Sequence, residues 1–377
     1  MVTKTLQANS VEEIKSKIFD TISNDFHPSL AIIFSSVQHD LNQLSQIFND
    51  YDIQIVGATT YGEIRDTAVY DFSIVIMLLD IDKSYFSVYL TENINNDIHE
   101  STKRASKIAK EKFKNPSFIV ISGGITSDGF SIVEGIMSEF ETNVPIFGGL
   151  AGDDLNMVAT YVFTNNTITS NGLIFLIFDN DKIEVNGISS CGWESVGVEK
   201  TVTKAVGNVV YEIDNHPAMD VFLKLTELTE DTKENAVLPE TGVKFPLQYI
   251  RPDRPAVLRA PMLINKIDRS IVFGGRIPQG SKIKFSLPAT FEVIEETLKE
   301  LEDQKSKIPN ADAMILFSCG ARKLAFGPMI IDEIAGIKKI WNVPLIGFFS
   351  YGEIGNLKDD ITDFHNETCS LILLREK

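Results

Sequence analysis

The chain has 377 residues, of which 44% are hydrophobic and 23% charged, a balance typical of folded globular proteins and sufficient for two domains of ordinary size. Its formal net charge of −17 repels nucleic-acid phosphates and anionic lipid, and therefore argues against nucleic-acid binding and membrane attachment. Its apolar runs are too short to span a bilayer, its start lacks a signal-peptide core and its 3 cysteines lack CxxC spacing, so we expect a cytoplasmic protein without membrane insertion.

The first predicted elements are a helix and a β-α-β-β unit. Ser10 and Glu13 form a capping-box pattern at the start of the helix. Residues 31–35 predict a strand, the spacing of apolar residues that follows predicts a helix, and residues 53–64 predict a second strand that ends in a glycine followed by an acid. Residues 72–79 predict a third strand. A helix between the first two strands predicts a parallel right-handed crossover, and we expect the third strand to return antiparallel.

The same pattern recurs twice further along the chain. A helix near residues 99–113 introduces the second copy, and an amphipathic helix that begins at Phe291 introduces the third. The sequence Tyr-Gly-Glu-Ile occurs at residues 61–64 and again at 351–354, and Asn-Val-Pro occurs at 143–145 and 342–344. We therefore predict an internal repeat and an α/β fold of mixed sheets built from repeated β-α-β-β units.

The segment between the second and third copies has a different character. Residues 183–213 predict short strands with glycine turns, Pro217 is placed to open a helix that ends near residue 225, and residues 245–285 are β-rich. The polar stretch 226–242 is the part of the chain most similar to a linker. These features predict a first domain over residues 1–220 and a second over residues 221–377.

Several of these segments resemble the FIST family (F-box and intracellular signal transduction). Residues 57–64 are similar to its Gly-x-x-Thr-x-Gly-Glu signature, and residues 148–153 are similar to its second turn. Further similar segments, in the right order, are 192–193, 203–217, 274–280 and 349–355. The resemblance covers nearly the whole chain, with residues 28–220 similar to the N-terminal FIST domain and the rest similar to its C-terminal partner.

The resemblance implies a bacterial sensory protein that binds a small ligand, for which amino acids are a proposed class, and that signals through a kinase or another output protein. Backbone N–H groups bared by glycine bind a carboxylate, and a neighbouring acid binds an ammonium, so the three turns are the candidate site. The alternative is that each glycine only makes a tight turn, which the acid caps. The candidate residues at or beside the turns are Thr59, Thr60, Tyr61, Gly62, Glu63, Gly123, Gly124, Gly149, Gly152, Asp153, Tyr351, Gly352 and Glu353.

Three arginines are candidate clamps for a ligand carboxylate, because a guanidinium pairs with it through two hydrogen bonds. They are Arg259, Arg276 and Arg322, and the last follows a predicted strand that ends near Ser318. Ligands of open α/β sheets bind at the carboxyl ends of strands, which adds Ser318 to the candidate site. Ion pairs within the protein or at its surface are the alternative role for these arginines.

We expect binding without catalytic turnover and without a cofactor. The serines that end predicted strands lie outside any Gly-x-Ser-x-Gly elbow, and the 5 histidines show no metal-ligand spacing, although a hydrolase or transferase using Ser318 or Cys319 stays an alternative. Some members of the family resemble haem-binding nitric-oxide sensors, so a haem sensor acting through a partner kinase is the main alternative, ahead of the hydrolase or transferase. Cys191 and His216 are available as axial ligands, and the competing interpretation is a buried structural cysteine beside a packed Trp193.

Overall fold

A computed structural model describes residues 1–22, 25–92, 97–125, 127–227, 242–287, 290–357 and 361–377. The first unit of the fold runs strand, helix, strand, helix and then four strands. Its elements are β1 (Val2–Ala8), α1 (Val11–Thr21), β2 (Leu30–Ser35), α2 (Leu41–Asn49), β3 (Gln54–Thr59), β4 (Glu63–Arg65), β5 (Ala68–Tyr70) and β6 (Ile74–Asp80).

A second unit follows with the same order of elements. They are β7 (Phe86–Glu92), α3 (Ile98–Lys112), β8 (Pro116–Ser122), α4 (Gly129–Met137), β9 (Ile146–Leu150), β10 (Val162–Thr164), β11 (Ile168–Thr169) and β12 (Gly172–Asp179). The third unit opens with β13 (Ile183–Ser190) and then admits an insertion. The inserted β segment contains β14 (Ser195–Val206), β15 (Val209–Ile213), β16 (His216–Pro217), α5 (Ala218–Thr226), β17 (Leu247–Arg251), β18 (Arg254–Arg259), β19 (Pro261–Asn265), β20 (Ser270–Phe273) and β21 (Lys282–Ser286).

After the insertion the third unit resumes, with one short additional helix. Its elements are α6 (Phe291–Lys305), β22 (Ala313–Cys319), α7 (Gly320–Phe326), α8 (Ile330–Trp341), β23 (Leu345–Ser350), β24 (Glu353–Asn356), β25 (Thr362–His365) and β26 (Cys369–Glu376). The strands of the inserted β segment form a sheet of their own, in the order β18-β17-β21-β14-β15-β20-β19. The protein therefore consists of three similar units and one β-rich insertion.

The three units share one strand order and exchange hairpins. In the first unit β2 pairs parallel with β3 and antiparallel with β6, as the sequence predicts, and β6 pairs antiparallel with β1. The last two strands of each sheet come from another unit. The hairpin β10-β11 completes the first sheet, β24-β25 completes the second and β4-β5 completes the third. Each unit thus donates one hairpin and accepts one, which closes the three units into a ring.

Aromatic and aliphatic side chains fill the space between the three sheets. The ring centroid of Phe348 lies 4.7 Å from that of Phe34 and 5.3 Å from that of Phe317, and Phe147 of the second unit joins the same core. Helices cover the outer faces of the sheets. Because central strands are buried on both faces, their sequences are continuous apolar runs rather than alternating ones.

The mixed α/β fold predicted from the sequence is confirmed. The capping interaction is present, since Ser10 Oγ accepts a hydrogen bond from Glu13 N at 3.2 Å. The sequence did not predict the edge strand β1 or the exchanged hairpins. The short strands expected before residue 213 were wrong in part, because β14 is one strand of 12 residues.

The predicted division of the chain after residue 220 falls inside α5. Two of the six-stranded sheets combine strands from both sides of this division. In the third sheet β13 pairs with β26 and β4 pairs with β23, and in the second sheet β24 pairs with β9. The predicted linker lies outside the described residues except at 226–227 and 242. No helix in the described part of the chain has the length and apolar character needed to cross a membrane.

Candidate functional site

The three Gly-acid turns meet at one end of the ring. Tyr61 N donates to Phe349 O at 3.2 Å, which joins the first turn to the third. Tyr351 N donates to Leu150 O at 3.0 Å, and Gly152 N donates to Thr59 O at 2.8 Å, which join the third turn to the second and the second to the first. Turns that are far apart in sequence are therefore in direct backbone contact.

Gly152 allows the closest of these approaches. A Cβ atom at this position would lie 2.7 Å from Tyr61 N and 2.8 Å from the carbonyl carbon of Thr60, closer than side-chain carbons pack. The glycine is thus required by the contact between the first and second turns. This role supports the interpretation that the turn glycines serve the fold.

Glu63 and Glu353 hold their own units together and do not face a cavity. Glu63 accepts hydrogen bonds from Thr60 Oγ1 and from Ser73 N at 3.0 Å, and Glu353 repeats this pattern with Ser350 and Thr368. Both side chains are fully buried. Burial raises the pKa of Glu63 to about 7 and that of Glu353 to about 8. The oxygens of both carboxylates are therefore used within the protein, and their contact with a ligand ammonium stays a prediction.

Asp153 also has a structural role, and it links two units through Tyr351. Its carboxylate accepts from the backbone N–H groups of residues 157–159 at 2.7–3.0 Å. The Tyr351 hydroxyl donates to Asp153 Oδ1 at 2.6 Å and accepts from Leu155 N at 3.0 Å. Burial raises the pKa of the Tyr351 hydroxyl, so it stays protonated at neutral pH. The third turn is thereby tied to the loop that follows the second.

That loop has an unusual backbone conformation. Asp154, Leu155 and Met157 have φ angles of 55°, 61° and 54°, in the left-handed region that non-glycine residues rarely adopt. Such residues persist only where surrounding contacts hold them, and they concentrate at functional sites. Here the Asp153 carboxylate and the Tyr351 hydroxyl supply those contacts.

The other candidates near the turns are part of the backbone framework. Thr59 Oγ1 accepts from Tyr161 N at 2.8 Å, and Gly124 N donates to Thr160 Oγ1 at 2.8 Å. Gly123 N donates to Gly172 O at 3.1 Å. The remaining positions lie in strands or turns: Gly149 within β9, Gly62 before β4 and Gly352 before β24.

Arg322 is an interior ion-pair partner, and its role as a ligand clamp stays a prediction. Its guanidinium is fully buried and pairs through two nitrogens with Glu333 on α8. It also donates to Cys191 O at 2.7 Å and to Thr297 Oγ1 at 2.8 Å. Burial lowers its pKa, but the charge and hydrogen bonds of Glu333 outweigh that effect and raise it. The ion-pair alternative thus describes Arg322.

A small cavity opens beside the third turn, at the carboxyl ends of β22 and β23. Its volume is about 50 Å³, well below the roughly 300–1,000 Å³ of pockets for drug-sized ligands. Its walls come from the third unit, from the strained loop of the second unit and from the inserted β segment. The residues that line it include Leu155, Met157, Ala260, Met262, Leu263, Gly320, Leu324, Ser350, Tyr351 and Asn366.

Asn366 gives this mainly apolar cavity a polar anchor. The residue is 1% exposed, and Oδ1 has no hydrogen-bond partner among the described residues. Its Nδ2 approaches Gly274 O at 3.4 Å. A buried amide oxygen without a donor is costly, so Asn366 is a point of this cavity wall at which a hydrogen-bond donor is missing among the described residues.

The sequence did not indicate this site. Residues 365–368 are four consecutive polar or charged residues that end β25 and connect it to β26, a pattern typical of an exposed turn, yet all four are buried. The apolar lining comes from three segments that are distant in sequence. Among the predicted ligand residues, Tyr351 lines the cavity, and Ser318 lies fully buried in the adjoining strand with its Oγ lacking a partner among the described residues.

Arg276 lies elsewhere. Its Nη2 donates to Asp128 Oδ2 at 2.7 Å, and the side chain is about half exposed, at 49%. It lines a second cleft together with Arg259. Its predicted ligand-binding role stays a prediction for that cleft.

Fold and site together define a ring of three α/β units with a small pocket where the units and an inserted β segment meet. The chain belongs to the FIST family: residues 29–216 match the FIST N domain and residues 218–356 match the FIST C domain. The family is associated with sensing in signal transduction.

One curated protein of similar sequence comes from an archaeon. The chain is 26% identical to the uncharacterized protein MJ1623 of Methanocaldococcus jannaschii over 255 residues, which are 60% of this chain and 48% of that protein. The chain thus spans about half the length of this relative. The name of the relative states no ligand, partner or activity.

Proposed function

We propose that this chain is a sensory protein that binds a small molecule, without turnover, in the cavity beside the third turn. The observation that carries the proposal is Asn366 Oδ1, a buried acceptor without a partner among the described residues, in the wall of that cavity. Membership of a family associated with sensing supports the same role. Binding would be passed on to a partner protein such as a signalling kinase.

The lining selects the class of ligand. No charged side chain contributes to the cavity wall among the described residues. An amino-acid zwitterion would lose the hydration of two charges there, which is expensive without ionic partners. A small, mostly apolar molecule with one hydrogen-bond donor fits better, because its donor would satisfy Asn366 and its body would contact the methionine and leucine side chains.

A ligand in this position would act on several parts of the protein at once. Met157 belongs to the second unit, Leu324 to the third and Met262 to the inserted β segment, and all three line the cavity. Filling the space favours whichever arrangement of these parts closes best around the ligand. The strained backbone of the Met157 loop, which only local contacts hold, is the element best placed to change.

Binding rather than catalysis is supported by the state of the nearby nucleophiles. Burial raises the pKa of the Cys319 thiol well above its ordinary value, which keeps it in the unreactive protonated form. The proposal contains no haem. Burial likewise raises the pKa of Cys191, whereas His216 lies in the inserted β segment on β16, and no observation on the described residues favours a haem site.

The proposal can be tested with phenol and benzene as probes. Both are larger than the cavity of about 50 Å³ and must displace the side chains that line it, but only phenol carries a donor for Asn366. Calorimetric titration should show phenol binding about fivefold more tightly than benzene, the ratio expected for one net hydrogen bond. In an Asn366→Leu variant the two probes should bind equally. Asn42→Leu, an exposed position on α2, is the matched control and should keep the preference.

A second variant tests the location. Leu324→Trp should fill the cavity and abolish binding of both probes, whereas Leu225→Trp at an exposed position should not. Phenol binding that survives Leu324→Trp, or a phenol preference that survives Asn366→Leu, would contradict the proposal. The twenty amino acids, tested one by one in thermal-shift assays, should not raise the melting temperature of the wild type above that of Leu324→Trp through binding in this cavity.

A further inference from the structure

A second cleft lies where the inserted β segment meets the second unit. It has a volume of about 260 Å³, and Arg251, Arg254, Arg259 and Arg276 line it together with Phe130 and Tyr249. Four guanidinium groups meet here in a chain whose net charge is −17. Clefts between structural parts are common places for small-ligand sites.

The positive charge of this cleft is only half balanced. Asp363 pairs with Arg251 and lies 3.8 Å from Arg254, and Asp128 pairs with Arg276. Four guanidinium groups thus face two carboxylates in ionic contact. The excess of about two positive charges fits a ligand with two negative charges.

Arg259 is the most informative of the four. It is 2% exposed and forms no ion pair with any described residue. Its Nε donates to Arg276 O at 3.3 Å, and its Nη1 donates to Leu258 O at 2.9 Å and to Phe364 O at 3.2 Å, whereas Nη2 has no partner among the described residues. Burial lowers the pKa of Arg259 to about 10, so the group is still charged at neutral pH.

A buried charge is normally paired, because burial without a counter-ion is costly. The backbone also leaves space for the Arg259 guanidinium. A Cβ atom at position 275 would lie 2.8 Å from Arg259 Nε, so Gly275 leaves the space that the guanidinium occupies. The cleft is therefore built around an unpaired cation.

Aromatic rings hold the guanidinium groups in place. Arg276 lies 5.7 Å from the ring centroid of Phe130, Arg251 lies 6.0 Å from that of Tyr249, and Arg259 lies 5.5 Å from that of Phe364. A guanidinium fixed against a ring presents its N–H groups in a planar fork, which matches carboxylate and phosphate oxygens.

We propose that this cleft binds a small dianionic ligand, carrying a phosphate monoester or two carboxylates, with Arg259 as the buried anchor and Arg254 and Arg276 at the mouth. The dianion supplies the two negative charges that the cleft lacks. The site is separate from the cavity of the proposed function and does not depend on a ligand there.

Calorimetric titration with phenyl phosphate, succinate and acetate tests this at pH 8. Phenyl phosphate or succinate should bind at least about tenfold more tightly than acetate, and the stronger of the two identifies the anionic group. Arg254→Gln and Arg276→Gln should each weaken binding of that dianion about tenfold. Arg259→Lys should also weaken its binding, while circular dichroism shows that the fold is intact. Arg65→Gln removes the same charge elsewhere and should change nothing, and Leu324→Trp, which fills the other cavity, should still bind the dianion.

Three results would overturn the proposal. The first is acetate binding as tightly as both dianions, and the second is no binding of either dianion. The third is a loss of binding in Arg65→Gln as large as in Arg276→Gln, which would indicate a general charge effect. Because Leu324→Trp blocks only the cavity, a failure here is distinguishable from a failure of the proposed function.

Discussion

The Glu63 carboxyl should make the fold less stable as pH rises, opposite to the usual effect of a carboxylate. The group is fully buried, and burial raises its pKa to about 7 from an ordinary value of 4.5. The folded state therefore holds the proton more tightly than the unfolded state. Its stabilising contribution is complete below pH 4.5 and is lost as pH rises through 7.

Glu63→Gln removes this titration while keeping the side-chain shape and an oxygen for Ser73 N and Oγ. Proton linkage with pKa values of 4.5 unfolded and about 7 folded gives a loss of about 2–3 kcal/mol between pH 5 and pH 8 in the wild type. The free energy of unfolding of the variant, relative to wild type, should therefore rise by about 2–3 kcal/mol over that interval.

Urea denaturation at pH 5, 6, 7 and 8, followed by circular dichroism, measures the difference directly. Comparison with the wild type at each pH cancels the contributions of all other titrating groups. Glu12→Gln, at an exposed position on α1, is the control for removing a carboxylate at the surface. Glu63→Gln and wild-type curves that fall in parallel would contradict a buried Glu63 carboxyl with a raised pKa.

Three further substitutions probe the contacts that hold the units together, each measured by urea denaturation. Arg322→Ala should lower the free energy of unfolding by about 3–5 kcal/mol, because it leaves Glu333 buried without a counter-ion; a loss below about 1 kcal/mol would contradict a buried pair. Tyr351→Phe should cost about 1–3 kcal/mol and speed proteolysis near the exposed Val158, and unchanged proteolysis would show that Asp153 holds the loop alone. Phe348→Ala should cost about 3–5 kcal/mol, against little change for Phe19→Ala at the surface.

The sequence predicted the repeated part of the fold because burial leaves a strong signal there. Strands such as β2 and β22 are covered on both faces, and their continuous apolar runs can be recognised as strands from the sequence alone. The exchanged hairpins left no such signal. The strand β4 has three residues, and its partners on β23 lie in the third unit, so nothing local in the sequence specifies the pairing.

The candidate site was less predictable, because one residue type has different roles in different surroundings. The identical turns at residues 61–64 and 351–354 indicated a common role correctly, and in the structure both carboxylates form a buried link to the closing strand. Arg322 follows a strand end, as a ligand clamp would, yet its partner Glu333 is on another helix. Asn366 looks like a turn residue until the inserted β segment covers it.

The strand β25 connects the two proposed pockets and provides a way for them to influence one another. Asp363 and Phe364 contact the arginine cleft, and Asn366, the residue after β25, lines the apolar cavity. Since β25 belongs to the third unit but completes the sheet of the second, moving it acts on both. Ligands that shift this strand should change one another's affinity by the same factor. Titrating phenyl phosphate with and without saturating phenol measures that factor, and so does titrating phenol with and without saturating phenyl phosphate. If neither ligand changes the affinity of the other, β25 is rigid between the pockets.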